Sequence, residues 1–201
     1  MWLYCDVEIS LNYFKKALLQ NGGQITVEEA FTSQPNVAFL PIAERMLATN
    51  PDGVLLLSNA IDTALLAQQI RKLGSEVSLF SSEWASTTDL LSFGGRAVNG
   101  MASFHSFNAN SQETRYLSFK ERFTKRFSSD PSFATALAYD AATFLLDGLE
   151  KNPSRNGLKE ALLKLESLPG LQSTIMVDKF GDVERKLFLT VIEDGQFKVV
   201  E

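Results

Sequence analysis

Short apolar runs alternate along this chain with stretches whose apolar residues recur every three or four positions. Trp2 to Cys5 (WLYC) is followed by Leu11, Phe14 and Leu18 at helical spacing, and Asn21-Gly22-Gly23 is a strong helix stop. Gln24 to Phe31 (QITVEEAF) reads as a strand, and the helix after it carries Phe39, Ile42, Ala43, Met46 and Leu47 on one face. Residues 53–58 (GVLLLS) form the continuous apolar run expected of a strand covered on both faces. A third helix with Ile61, Leu65 and Leu73 closes at Gly74. Residues 77–80 (VSLF), a short helix from about Ser86 and residues 100–107 (GMASFHSF) complete the series. Strand and helix at this tempo predict an α/β fold, a parallel sheet flanked by helices and built from WLYC, QITVEEAF, GVLLLS, VSLF and GMASFHS with right-handed crossovers.

After residue 107 the rhythm changes. Residues 112–127 and 132–151 read as two successive long helices, and residues 156–166 as a third after Pro153. The tail has strand character: STIMVD, a turn at Phe180-Gly181-Asp182, ERKLFLTVIE, then QFKVV beyond Asp194-Gly195. An Asp-Gly pair between alternating runs is a hairpin signal, so a C-terminal β-hairpin is expected.

Composition narrows the partners. The 201 residues are 45% hydrophobic and 21% charged, with a formal charge of −5, which argues against a nucleic-acid backbone or an anionic membrane surface. The densest basic stretch, Lys120 to Arg126, alternates with Phe119, Phe123 and Phe127 and reads as the solvated face of an amphipathic helix. The one cysteine, Cys5, cannot form an internal disulfide and is expected to be a buried, inert thiol. No apolar run is long enough to span a bilayer, and no signal peptide opens the chain, which taken literally would be cytoplasmic. Met1 nevertheless leads straight into a strand-like run, as if part of a larger protein preceded it.

In an open α/β sheet, ligands collect where the carboxyl ends of strands pass into helices. Two such loops are unusually polar: Ser58-Asn59, and Ser81-Ser82-Glu83-Trp84. Asn59 and Ser86 each have an aspartate three residues on, Asp62 and Asp89, so helix capping accounts for the small polar residues at least as well as ligand binding does. Glu83 and Trp84 are poor caps. A carboxylate beside an aromatic face suits a cationic ammonium group, through charge pairing and cation–π attraction.

Signals for catalysis are few. His105 is the one histidine, in the apolar stretch MASFHSF, so no His/Cys metal cluster can be assembled around a second one, and no Gly-x-Ser-x-Gly elbow occurs. Gly22-Gly23 and Gly94-Gly95 are isolated pairs, and a nucleotide-binding fold would need glycines where Asp6-Val7-Glu8 follows the first run. Neither catalysis nor a cofactor is expected.

The succession DVEISLNYFKKALLQNGGQITVEE, NPDGVLLLSNAIDTALLAQQIRKLG, LFSSEWASTTDLL and FATALAYDAATFLLDGLE, ending in Phe180-Gly181-Asp182 and VIEDGQFKVV, resembles the later part of the type I periplasmic solute-binding proteins. The resemblance is strongest to the branched-chain amino-acid branch that feeds ABC transporters. It implies a lobe of a two-lobed clamshell, periplasmic or held outside the cell as a lipoprotein, that hands a small ligand such as an amino acid to an ABC transporter permease. On it, residues 1–106 and 172–201 form the second lobe, and residues 107–171 are helices belonging to a first lobe otherwise absent from this chain. Their apolar residues Phe133, Leu137, Phe144 and Leu145 would need another partner, such as a second copy of the chain in a homodimer. The resemblance makes Glu83 the acid that meets the ligand's ammonium, with Trp84 beside it. Ser58 and Asn59 fall in a second ligand-lining loop, Asn59 standing where amino-acid binders often carry an aromatic residue. Asp6 matches an aspartate after the family's first strand, but the Tyr-Gly usual after it is missing and the loop is short. The alternatives are a ligand-sensing domain of a receptor or regulator, and a truncated dimerising lobe without ligand.

Overall fold

The computed structural model describes residues 3–200, with side chains described from Val7 onward. Met1, Trp2 and Glu201 therefore lie outside the described residues, as does the burial expected for Cys5. The chain divides into two compact units, residues 1–104 with 189–201, and residues 105–188.

The first unit opens with helix α1, Leu3–Gln20. This overturns the strand expected at WLYC, because Leu3 to Cys5 form the first turn of α1. Leu3, Val7, Leu11, Phe14 and Leu18 continue a single helical period, and no glycine or proline interrupts them. The expected stop holds: Gly22 takes φ +80°, and the Gly23 N–H donates to the Leu18 carbonyl at 2.9 Å. The strand expected at Gln24 to Phe31 is also absent; these residues belong to no strand or helix. With WLYC taken into α1, the neighbour that could have paired with them is gone. Side chains hold the segment instead. Lys15 pairs with Glu28, and Arg45 grips both oxygens of Glu29 at 2.9 and 2.7 Å, which lowers the pKa of that carboxyl.

Helix α2, Phe39–Leu47, buries Phe39, Ile42 and Ala43 as its pattern predicts. Strand β1, Gly53–Leu56, leads into α3, Ala60–Lys72. Asn59 is the N-cap of α3, its Oδ1 accepting from the Asp62 N–H at 3.0 Å. The stripe α3 buries is Thr63, Ala64, Leu66, Ala67 and Ile70, and of Ile61, Leu65 and Leu73 only the half-buried Leu65 packs against the core. Ile61 and Leu73 are exposed. Small side chains let α3 approach its neighbours closely, and a reading that follows only large apolar residues overlooks them. Strand β2, Ser78–Ser81, passes through a 3-10 turn at Glu83–Ala85 into α4, Thr88–Gly94, and the chain then enters β3, Ala102–His105.

The second unit contains α5, Thr114–Phe127, α6, Phe133–Lys151, and α7, Leu158–Leu163, matching the expected helical run. Strands β4, Ser167–Pro169, β5, Thr174–Val177, and β6, Val183–Glu184, pair antiparallel in the order β4-β5-β6. Phe107, Tyr116, Phe119, Ala136 and Leu171 form its core, with Phe119 stacked at 4.6 Å on Tyr139. Two polar devices close it. Gln172 donates to the Asn108 carbonyl at 2.8 Å and accepts from the Asn108 N–H at 2.9 Å, taking the place of a strand neighbour. Asp140, buried on α6, accepts from the Leu171 N–H at 2.9 Å and lies 3.5 Å from Arg185. Burial raises the pKa of this carboxyl, while Leu171, Arg185 and Arg115 pull it the other way.

The chain returns through β7, Phe188–Glu193, and β8, Gln196–Val199, completing a sheet ordered β1-β2-β3-β7-β8. β1, β2 and β3 are parallel, and β7 and β8 form the expected antiparallel hairpin, with Asp194 and Gly195 at φ +53° and +70°. Residues 172–188 fall in the second compact unit, which ends at Phe188. The reason is local: β5 and β6 pair with β4, not with the larger sheet. Among the described residues no helix is long and apolar enough to cross a membrane.

Two stability predictions follow from these contacts. Asn59→Ala should cost about 1 kcal/mol through loss of the α3 cap, measured by urea denaturation. Asp140→Ala leaves the Leu171 N–H and Arg185 without their acceptor and should cost about 1–3 kcal/mol, whereas Asp140→Asn keeps an acceptor and should cost under about 1 kcal/mol. The raised pKa means the folded state holds this proton more tightly than the unfolded chain. Its contribution is therefore greatest at low pH and is lost as pH rises through the folded value, and wild type should lose stability relative to Asp140→Asn as pH rises from the ordinary carboxylate value through the raised one.

Candidate functional site

β1 and β2 run parallel with Gly53 opposite Ser78 and Leu56 opposite Ser81. The Ser58-Asn59 loop follows β1 and the Glu83-Trp84 turn follows β2, so the sequence-derived candidates leave the same end of the sheet from adjacent parallel strands.

The two loops differ in how their side chains are placed. Ser58 Oγ lies 2.7 Å from Thr63 Oγ1, and Asn59 Nδ2 donates to Asp62 Oδ2 at 2.7 Å and to Ser33 Oγ at 3.1 Å. With its Oδ1 accepting from the Asp62 N–H, Asn59 is engaged as donor and as acceptor. In this state it shapes the loop. The second loop projects outward. Ala85, fully buried, pins the 3-10 turn, the Ala85 and Ser86 N–H groups donate to the Ser82 and Glu83 carbonyls at 3.2 and 2.9 Å, and Trp84 next to the buried alanine is 60% exposed. Glu83 is half-buried beside it. A half-desolvated carboxylate next to an open indole can take a cation, the first by charge pairing and the second through its π face.

Sequence reasoning missed several contributors. Ser33 reaches Asn59 across 26 positions, and local spacing carries no sign of that contact. The hydroxyls of Ser81, Ser86 and Thr87, around the Glu83 turn, are buried without a protein partner, as is that of Thr190. Alternation along β2 points Ser81 inward, a signal that could have found it. His105 is buried at the end of β3. Among the described residues no group of three or more His, Cys, Asp or Glu could hold a metal ion. The second unit has a shallow cleft of about 260 Å³ lined by Lys151, Asn152, Gly157, Glu160 and Lys164, none of them a sequence-derived candidate.

The fold is shared with known proteins. The chain superposes on a leucine-binding protein from Thermotoga maritima with a TM-score of 0.86 at 23% identity, over 94% of this chain and 55% of that one. It matches a branched-chain amino-acid substrate-binding protein from Streptococcus pneumoniae in complex with isoleucine at 0.78 and 14% identity, over 88% and 51%. A solute-binding protein from R. palustris in complex with benzoate gives 0.78 at 14% identity, over 93% and 52%. These likenesses establish the fold, and the chain spans about half the length of the proteins it matches. No curated protein matches it. The family model of the periplasmic binding proteins matches residues 10–196, so the chain belongs to that solute-binding family.

Proposed function

We propose that this chain is the ligand-binding part of an extracytoplasmic solute-binding component of an ABC transporter, with an amino acid or similar small polar molecule as ligand. What supports this reading is that the Ser58-Asn59 loop and the Glu83-Trp84 turn follow adjacent parallel strands, in a chain of the periplasmic binding protein family. On this reading the first unit is the second lobe of a clamshell, and the helices of the second unit belong with a first lobe. The protein works in the periplasm or as an extracellular lipoprotein, delivers its ligand to a permease and carries out no catalysis. Glu83 anchors the ligand's ammonium, Trp84 lies against it, and Ser58 and Asn59 form the wall opposite. Leucine, isoleucine and benzoate bound by proteins of this fold all carry a carboxylate. The acidic loop of this chain does not suit that group, which falls to the other lobe. A homodimer is a second reading, favoured by the exposed Leu145 and Leu146 on α6.

The magnitudes set the test. A charge-assisted bond to Glu83 is worth about 1.5–3 kcal/mol, and a cation over Trp84 about 0.5–2. Association costs at least about 4 kcal/mol, so one lobe's contacts barely offset it. Calorimetry of the 201-residue chain against a panel of amino acids and benzoate should show no affinity tighter than about millimolar. A micromolar affinity would show that the site is misplaced. In a longer chain carrying both lobes, Glu83→Gln should weaken an α-amino acid about 10- to 100-fold and leave benzoate, which has no ammonium, unchanged. Equal loss for both would remove Glu83 from the ammonium site.

A further inference from the structure

The second unit contains a concave surface that the proposed transport role does not use. Helices α6 and α7 meet at Gly148, where a Cβ would overlap the side chain of Leu162, so a larger residue could not keep the two helices this close. Beside that contact lies the cleft of about 260 Å³, with the buried Ala161 and the half-buried Leu165 in its wall. The volume is just below that of pockets for drug-sized molecules and suits a small metabolite.

Four polar side chains line the cleft. Lys151 closes α6 and Lys164 follows the last turn of α7, and among the described residues neither makes an ion pair. Lysine is favoured at any helix carboxyl end, but here two of them converge on one cleft. Asn152 adds a donor fixed in direction. Its Oδ1 accepts from the N–H and the hydroxyl of Ser154, at 3.0 and 2.7 Å, which holds the amide plane and leaves the two N–H groups of Nδ2 over Gly157. A methyl group on Gly157 would collide with Nδ2, so the glycine is what admits the amide there. Glu160, three residues along from Gly157, contributes a carboxylate to the same cleft. It stands at i to the i+4 of Lys164, but an exposed helical pair of that kind is weak and accounts for neither Lys151 nor the Asn152 amide.

We infer that this cleft binds a small zwitterion. Lys151, Lys164 and the Asn152 amide hold its carboxylate, and Glu160 holds its ammonium. Two cations against one carboxylate leave the cleft net positive, so the carboxylate end is the better held. Both lysines and Glu160 are exposed, and water screens every contact, so binding is weak. The site shares no residue with the loops at Ser58-Asn59 and Glu83-Trp84, and it goes beyond the transport reading.

Heteronuclear NMR of the 201-residue chain at constant ionic strength tests the inference, with alanine, acetate and methylammonium as the added molecules. Alanine should shift the amide signals of Asn152 and Gly157 with a Kd of about 10 mM, and acetate or methylammonium alone should bind at least about fivefold more weakly. Lys151→Gln with Lys164→Gln should weaken alanine about tenfold or more, and Glu160→Gln should bring it down to the level of acetate. The three replaced side chains are exposed, so the variants keep the fold, which circular dichroism checks. Glu83→Gln should leave these shifts unchanged, which separates this cleft from the site proposed for transport. No shift at Asn152 and Gly157 up to about 100 mM alanine, equal responses to alanine and acetate, or a response indifferent to the lysine and Glu160 substitutions overturns the inference.

Discussion

Everything the first unit can present rests on the parallel ladder between β1 and β2. That ladder pairs Gly53 to Leu56 with Ser78 to Ser81 without a break, and it fixes the level at which each strand gives way to its loop. Shifted by one residue, Val54 and Leu56 would leave the core. The burial of Leu79 and of the Ala64, Ala67 and Ile70 stripe on α3 holds the ladder in place. The polar loops inherit their geometry from apolar residues that never touch a ligand. A binding site of this kind is a by-product of register, and its precision is that of the core.

Most of the sheet was legible because its strands are dense apolar runs with clear ends. GVLLLS, VSLF and MASFH became β1, β2 and β3, and the Asp-Gly pair located the last hairpin. The readings that failed share a cause. WLYC is apolar enough for a strand, but Leu3 also continues the α1 period, and nothing local separates the two outcomes. QITVEEAF has the alternation of a strand, yet alternation reports which residues face inward and not whether a partner is present to pair with. In α3 the buried side chains are mostly alanine and threonine, which carry little weight in a pattern built on large residues.

The candidate loops divide along the same line. That Asn59 caps a helix was readable from Asp62 three residues on, because capping is a local contact. Its third bond, to Ser33, was not, because it depends on where a segment 26 positions away comes to rest. The outward turn of Trp84 depends in turn on Ala85 being wholly buried, a property of the packed unit that no neighbouring residue type encodes. Local hydrogen bonding is written in short spacings, whereas exposure is decided by the fold as a whole.

The reciprocal pair between Gln172 and Asn108 has a kinetic consequence. It joins positions 64 residues apart, whereas α6 and α7, which pack on each other, are near neighbours in the chain. Loop closure over such a span costs entropy that only the rest of the unit can offset. The expectation is therefore that the helices of the second unit assemble early and that this amide clasp forms late. Weakening it would quicken unfolding and leave the rate of folding almost unchanged.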